Sequence, residues 1–375
     1  MEQFQSKPKK KNRKPLYLLL AFLAVFIVFI YFITRPSLQS VAIRELQTCF
    51  NTEDVKQCWY KYKTELSQDA EFVSETRNKL ASFNLSENDI QTCKGWLPPP
   101  PTSINLIIVP DLSKRIIDTI NNPDQVKNDT VLLNAIWKNF VSQVRLKMDS
   151  KDRLVLDVTD EGQAGGSFRT IANQLIFDLS EHKNKSNRLY FDNIGNRFSQ
   201  NVSKLYSLAS KDPIGADYHY YFEQRLPKLI KKSTLKDNYR NILLIVTDGY
   251  LESEKAERTG IWAYTGTFTE RTNVSNQLKS GKSYSEALSL IRPIPDCPTH
   301  FTDLEVLVIE VNPRTKRSAQ EPNDPGTVHD LTIMKSQWSN WFRMIGIKNI
   351  ESEFFIRRND ATDITIKQIE EFLNK

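Results

Sequence analysis

Histidine is scarce in this chain: His182, His219, His300 and His329 are the four present. None lies in a nucleophile pattern, and no G-x-S-x-G, phosphate-loop or H-E-x-x-H sequence occurs. The usual signatures of serine hydrolases, P-loop enzymes and zinc proteases are therefore missing. Cysteine is equally sparse, with Cys49, Cys58, Cys93 and Cys297 and no Cys-x-x-Cys. Cys297-Pro-Thr-His300 offers two metal ligands without a second pair nearby, which favours a buried or disulfide-bonded loop cysteine over zinc. Four cysteines allow three pairings, and spacing does not choose among them. Excess charge is also confined. The formal net charge is +6, yet the first fourteen residues alone hold six Lys or Arg against Glu2. The remainder is close to neutral, so the sequence carries no broad basic surface for nucleic acid. There is no internal repeat.

What is present begins with an apolar run. Leu16–Thr34, LYLLLAFLAVFIVFIYFIT, contains no charge. At ~1.5 Å per residue it just crosses a ~30 Å hydrocarbon core. It is longer than the apolar region of a signal peptide and lacks a small-residue cleavage pattern before Arg35-Pro36. The expectation is an uncleaved anchor, with a cleaved signal sequence as the alternative. The basic tail, residues 1–15, places the N-terminus in the cytoplasm. Everything after Pro36 is then periplasmic or extracellular, a compartment where disulfides persist, most simply among Cys49, Cys58 and Cys93.

Residues 36–97 are polar and rich in helix formers. Val41–Phe50, Val55–Leu66 and Phe72–Ala81 read as short helices, and Asn84-Leu85-Ser86-Glu87 starts another. The segment is expected to be a helical stalk with too little apolar content for a large core of its own. Residues 98–103, opening with Pro98-Pro99-Pro100-Pro101, form a stiff linker.

The remainder, residues 104–375, alternates strands and helices. Ile104–Val109, Arg153–Val158, Asn173–Leu179, Asn241–Val246, Leu304–Val311 and Phe354–Ile356 read as six strands. Val131–Leu146, Tyr190–Ala209, Tyr218–Lys231, His329–Met344 and Ile364–Leu373 read as the helices between and after them. The predicted fold class is α/β: a doubly wound, mostly parallel six-stranded sheet, covered on both faces. The third strand, reached by a short connection, is expected to lie antiparallel at one edge. Residues 251–302 form a long excursion before the fifth strand, with an aromatic, Thr-rich hairpin at Ile261–Thr272 and a helix at Ser283–Ile291. The Trp338–Trp341 pair falls on the apolar face of its helix, which marks core rather than a ligand cage.

Chemistry concentrates at two strand ends. INLIIVPDLSKRI (Ile104–Ile116) runs from a buried strand into Asp111, Ser113 and Arg115. NILLIVTDG (Asn241–Gly249) ends in Asp248. In open α/β sheets sites are built at the carboxyl ends of the strands. Asp111-Leu112-Ser113-Lys114-Arg115 followed far downstream by Asp248 resembles the von Willebrand factor A domain family. That family's metal-ion-dependent adhesion site uses an Asp-x-Ser-x-Ser loop, a Thr from a second loop and an Asp after the fourth strand. Here Asp111, Ser113 and Asp248 match. The third loop ligand is Arg115, and the Thr position is Ala216 in Gly215-Ala216-Asp217. The resemblance runs from about Ile104 to Leu373 and implies a protein-binding domain that acts at the top of the sheet.

Two readings of the site stay open. Asp111, Ser113, Asp217 and Asp248 supply hard oxygen donors suited to Mg²⁺ or another divalent cation, with Asp217 standing in for the missing Thr. Alternatively Arg115 neutralises the carboxylates and the strand ends are held by an Asp–Arg network. The function expected is therefore a membrane-anchored binding protein in an envelope or surface assembly, cation-dependent or a metal-independent scaffold. A metal-dependent hydrolase is a third class, without a nucleophile or base pattern behind it, so no catalytic residue is expected. Asp157 and Asp160, which flank the end of the second strand, read as solvated loop acids.

Overall fold

The computed structural model describes Leu23, Phe26 and most of Pro36–Lys375; inside that span residues 121, 146, 148–150, 160–165, 182–186, 214, 254–261, 264–267, 292, 313–326, 351–352 and 359–361 are not described. Apart from Leu23 and Phe26, the expected anchor lies outside the described residues. Among the described residues no helix is long and apolar enough to cross a membrane. The chain divides into two compact units, one reaching to Pro100 and taking in Thr234–Lys236, the other made of Pro101–Ser233 and Asp237–Lys375.

The first unit holds four helices: α1 Leu38–Gln47, α2 Thr52–Leu66, α3 Ala70–Ala81 and α4 Glu87–Lys94. Each start is written in the sequence. Ser37, Asn51, Asp69 and Ser86 each accept a hydrogen bond from a backbone N–H in the first turn, and Ser86 with Asp89 completes a capping box. The helices close a small core of their own. Leu46, Val55, Trp59, Phe72 and Leu80 are buried together with Leu235, and Trp59 stacks on Phe72 with ring centroids 5.5 Å apart. Apolar residues are few here, but two large rings fill the space that many small ones would need.

The second unit is α/β. Its six-stranded sheet contains β1 Thr102–Pro110, β2 Arg153–Leu156, β3 Ile176–Asp178, β4 Asn238–Val246, β5 Leu304–Val311 and β6 Phe355–Arg357, in the order β3-β2-β1-β4-β5-β6. Every pairing is parallel except β2 with β3, which places an antiparallel strand at one edge. The central strands bury both faces. Leu106, Ile108, Ile242 and Leu244 enter one core, while Ile107, Val109, Leu243 and Ile245 enter the other. That two-sided burial is why these runs are apolar without alternation. The first core is covered by α5 Gln125–Val144, α6 Ser167–Asn173, α7 Asn187–Ile194, α8 Arg197–Lys211 and the terminal helix Thr362–Leu373. The second is covered by a helix over 218–229, here α9, and by the helix Thr327–Met344, in which Trp338 and Trp341 are core residues as expected.

Four expectations shift. The run read as one helix over 190–209 is two, α7 and α8, broken at Gly195, whose φ of +53° an α-helix does not accommodate. Part of the run read as strand over 173–179 is instead the end of α6, and β3 keeps only three residues. The helix over 218–229 is not uniform: Tyr221–Arg225 is widened to π geometry, with Leu226 N–H bonded to the Tyr221 carbonyl. Pro227 explains the widening, because its ring excludes the carbonyl one α-turn back and it has no N–H to give. In the excursion, Glu252–Ser253 and Trp262–Ala263 pair as a short antiparallel ribbon. The hairpin expectation extended too far, since α10, Phe268–Lys279, begins inside it, and α11, Tyr284–Leu288, follows. We label the last two helices α12 (Thr327–Met344) and α13 (Thr362–Leu373).

Candidate functional site at the carboxyl end of the sheet

The strand order reverses between β1 and β4, the position where doubly wound sheets open a crevice. Asp111 follows β1 directly, and its N–H donates to the Val246 carbonyl at 2.8 Å, which extends the β1–β4 ladder by one bond. Both oxygens of its carboxylate have partners within the protein. Oδ1 accepts from the Ser113 N–H at 3.0 Å and Oδ2 from the Thr247 hydroxyl at 2.8 Å. Ser113 begins a 3-10 turn, Lys114–Ile117, and its Oγ faces the Arg115 N–H at 3.5 Å.

That turn drives Arg115 inward. Its side chain has no exposed surface, unlike almost all arginines. Nε donates to the Asp111 carbonyl at 3.0 Å and lies 3.4 Å from Asp111 Oδ2. Nη2 donates to Asp129 Oδ2 at 2.7 Å and to the Val246 carbonyl at 3.0 Å. Burial by itself would pull the guanidinium pKa down, but Asp129 first and then Asp111, with Tyr206 and Asp248, hold it above its ordinary value. The group stays charged. Asp129, on α5, also accepts from Gln125 Nε2 at 2.6 Å and from the Tyr206 hydroxyl at 2.9 Å. Burial raises its pKa, while Arg115, Gln125 and Tyr206 act the other way. With a guanidinium in contact we take the pair as ionised.

Asp248 follows β4 and Thr247. Its Oδ1 accepts from the Tyr250 N–H at 3.3 Å, and its carbonyl accepts from the Asn312 N–H at 3.1 Å. The next residue must be glycine. Gly249 has φ +95°, and a Cβ there would meet Val311 at 3.0 Å and Met334 at 3.2 Å. Trp338 pins the same turn by donating to the Gly249 carbonyl at 3.0 Å. Asp111 and Asp248 both act electrostatically on Arg115 and on the buried Tyr218, whose pKa burial raises first. The two strand-end carboxylates are thus brought to one place. Asp217 has another local task, since its Oδ1 caps α9 by accepting from the Tyr220 N–H at 2.9 Å. Ala216 packs at the margin of the second core. Among the described residues, no three His, Cys, Asp or Glu side chains are grouped as a metal shell.

The network continues to β5. Glu310 is buried and has φ +66°, a left-handed conformation rare for a residue with a side chain and found where the surroundings enforce it. Its Oε2 lies 3.4 Å from Gln125 Nε2 and 3.7 Å from Arg358 Nε. Burial, then the charge of Asp129, pushes its pKa up to about 7, against the pull of Arg358 and Arg115. Arg358 also donates to Gln125 Oε1 at 2.8 Å and to the Pro123 carbonyl at 2.5 Å.

A second charged centre follows β2. Asp157 is buried, which corrects its reading as a solvated acid. Arg169 Nη1 donates to its Oδ1 at 2.5 Å, and Arg225 Nη2 reaches both oxygens at 3.1 and 2.9 Å. Asp160 lies outside the described residues. Cys297 is buried, and burial raises its thiol pKa, opposite to an activated nucleophile.

Asp129, Gln125, Glu310, Arg358, Arg169 and Arg225 are absent from the sequence-based site. Two of them left a readable trace. Gln125 and Asp129 continue the apolar face of α5 backwards from Leu132 and Ile136 at helical spacing, so they are polar residues on a core-facing stripe. The expected helix began at Val131 and cut them off. Comparison with family models, curated proteins and solved structures finds no match.

Proposed function

We propose that the chain is a membrane-anchored binding protein whose sheet domain, similar in pattern to von Willebrand factor A domains, engages a protein partner without a metal ion. Leu16–Thr34 is its anchor, and both units lie outside the cytoplasm. The domain serves as a scaffold or adaptor in an envelope or surface assembly. The fold order with an antiparallel edge, and Asp111 and Asp248 at the switch point, support the resemblance.

The observation that carries metal independence is Arg115. Where the family pattern has an oxygen ligand, a fully buried guanidinium contacts Asp111 and Asp129 and caps the Val246 carbonyl. A divalent ion would have to share Asp111 with that fixed charge, and both Asp111 oxygens already accept hydrogen bonds. That arrangement favours the reading without an ion. Arg115 takes over its structural part, holding two loops and a helix to one point. Beside it the surface carries exposed apolar groups, Ile117 and Ile120, on the same loop. Exposed aliphatics near a rigid strand-end site suit a protein partner.

The test is site-specific photocrosslinking of the full chain in its host membrane. A photoreactive residue at Ile120 samples the top face. One at Lys348, whose N–H bonds to Leu304 at the start of β5, samples the opposite end. Adducts are expected from Ile120 and not from Lys348, unchanged by a divalent-cation chelator. Adducts from Lys348 alone would overturn the top-face reading, and loss under chelator would overturn metal independence.

A further inference from the structure

Cys49 sits in the turn after α1, where its N–H bonds the Leu46 carbonyl at 3.2 Å, and Cys58 sits inside α2. Both sulfurs lie against one face of α1. Cys49 Sγ is 3.6 Å from the Glu45 carbonyl, and Cys58 Sγ is 3.9 Å from that of Ala42, one turn earlier. Each thiol also acts on the other's titration, after the larger effect of burial. Both belong to the buried core of the first unit, so their approach is fixed by packing. Cys93 is in the same core but belongs to α4, outside the α1–α2 hairpin. Cys297 is buried in the second unit.

We propose that Cys49 and Cys58 are joined by a disulfide that closes the α1–α2 hairpin, and that Cys93 and Cys297 remain thiols. The structure holds all four as thiols, so the bond requires an oxidant, here a disulfide of the thiol-oxidoreductase or glutathione class. One cysteine attacks that disulfide as its thiolate and forms a mixed disulfide, releasing the first thiol. The second cysteine, also deprotonated, then attacks the mixed disulfide and releases the other. Two electrons and two protons pass to the oxidant, which leaves as two thiols. Burial pushes the Cys58 thiol up to about 12, so the pair is a structural staple rather than a fast redox sensor. Formation in the cell rests on the exported placement proposed above.

The experiment uses the full chain purified in detergent, equilibrated across a reduced-to-oxidised glutathione series, then denatured in alkylating agent and digested with trypsin. Cleavage after Lys56 separates the two cysteines into different peptides. The expected product is those two peptides held together, lighter by two hydrogens than their sum, with Cys93 and Cys297 alkylated. A C93S variant is expected to keep that product and a C49S variant to lose it. Alkylation of all four cysteines across the series, or a product containing Cys93, would overturn the pairing. The same map on chain trapped directly from cells separates the two ideas. A product formed in glutathione but missing from cells leaves the pair standing and overturns the exported placement.

Discussion

After β1 one guanidinium serves two carboxylates; after β2 two guanidiniums serve one. The first centre, Asp111–Arg115–Asp129, is sealed, and its arginine side chain has no exposed surface. The second, Arg169–Asp157–Arg225, keeps both arginines about one-fifth exposed, at 20% of side-chain surface each. The ratio and the exposure go together. A buried arginine surrounded by acceptors has no reason to face solvent, and two acids that share it need it to remain ionised. Two arginines on one acid leave positive charge over, and that surplus is stable only where water reaches it. The same residue types therefore build an internal tie in one place and a wet, cationic rim in the other.

The largest expected effect breaks the sealed centre. Arg115→Ala strands Asp111 and Asp129 in the interior and is expected to cost about 3–5 kcal/mol in denaturant unfolding. Arg115→Met with Asp129→Asn removes charges of both signs and is expected to recover a large part of that loss. A double variant no more stable than Arg115→Ala would mean the network is not held by charge. The next effect is a pH slope. Glu310 has its pKa raised in the folded protein from 4.5 to about 7. Folding therefore favours its protonated form. The stability it contributes is complete below 4.5 and lost as pH rises to about 7. Subtracting the unfolding curve of Glu310→Gln across that range is expected to isolate a loss on the order of 1–3 kcal/mol. A flat difference would detach Glu310 from the centre. Smaller again is Asp157→Ala, about 1–2 kcal/mol, because its two arginines can rehydrate; a cost equal to that of Arg115→Ala would erase the distinction. The smallest is Lys348→Ala, which breaks an exposed 2.9 Å pair with Asp303 and is expected to change stability by less than about 0.5 kcal/mol.

The contrast also separates what the sequence could tell from what it could not. Strands such as Leu304–Val311 were legible because burial on both faces leaves an unbroken apolar word. Asp111 and Asp248 were legible because they end two such words. Arg115 was visible as a departure from a pattern, yet its direction, inward onto Asp129, depends on a contact fourteen residues away on another element. Arg169 and Arg225 gave no signal, since surface-type residues on two separate helices converge on Asp157 only through the fold. The break at Gly195 was missed for a local reason: apolar spacing on either side of it matched a single helix, and one positive φ outweighs that pattern.

The widened turn Tyr221–Arg225 has a consequence for how this chain can change over generations. Leu226 bonds back five residues instead of four, so the helix carries one residue more than its length in turns requires. Tyr221 and Arg225, at the two ends of that turn, both reach Asp157. Deleting one residue there, with Pro227 replaced by a residue that has an N–H to give, would let the helix close to ordinary winding. The residue removed is the surplus one, so the parts on either side would keep their facing, whereas the same deletion in uniform α-winding would turn them by roughly 100° relative to each other. Tyr218, Phe222 and Leu226 would still enter the core together. The widened turn is thus a place where this helix can shorten by one residue without turning one flank against the other, and its length there is freer than in the ordinary turns.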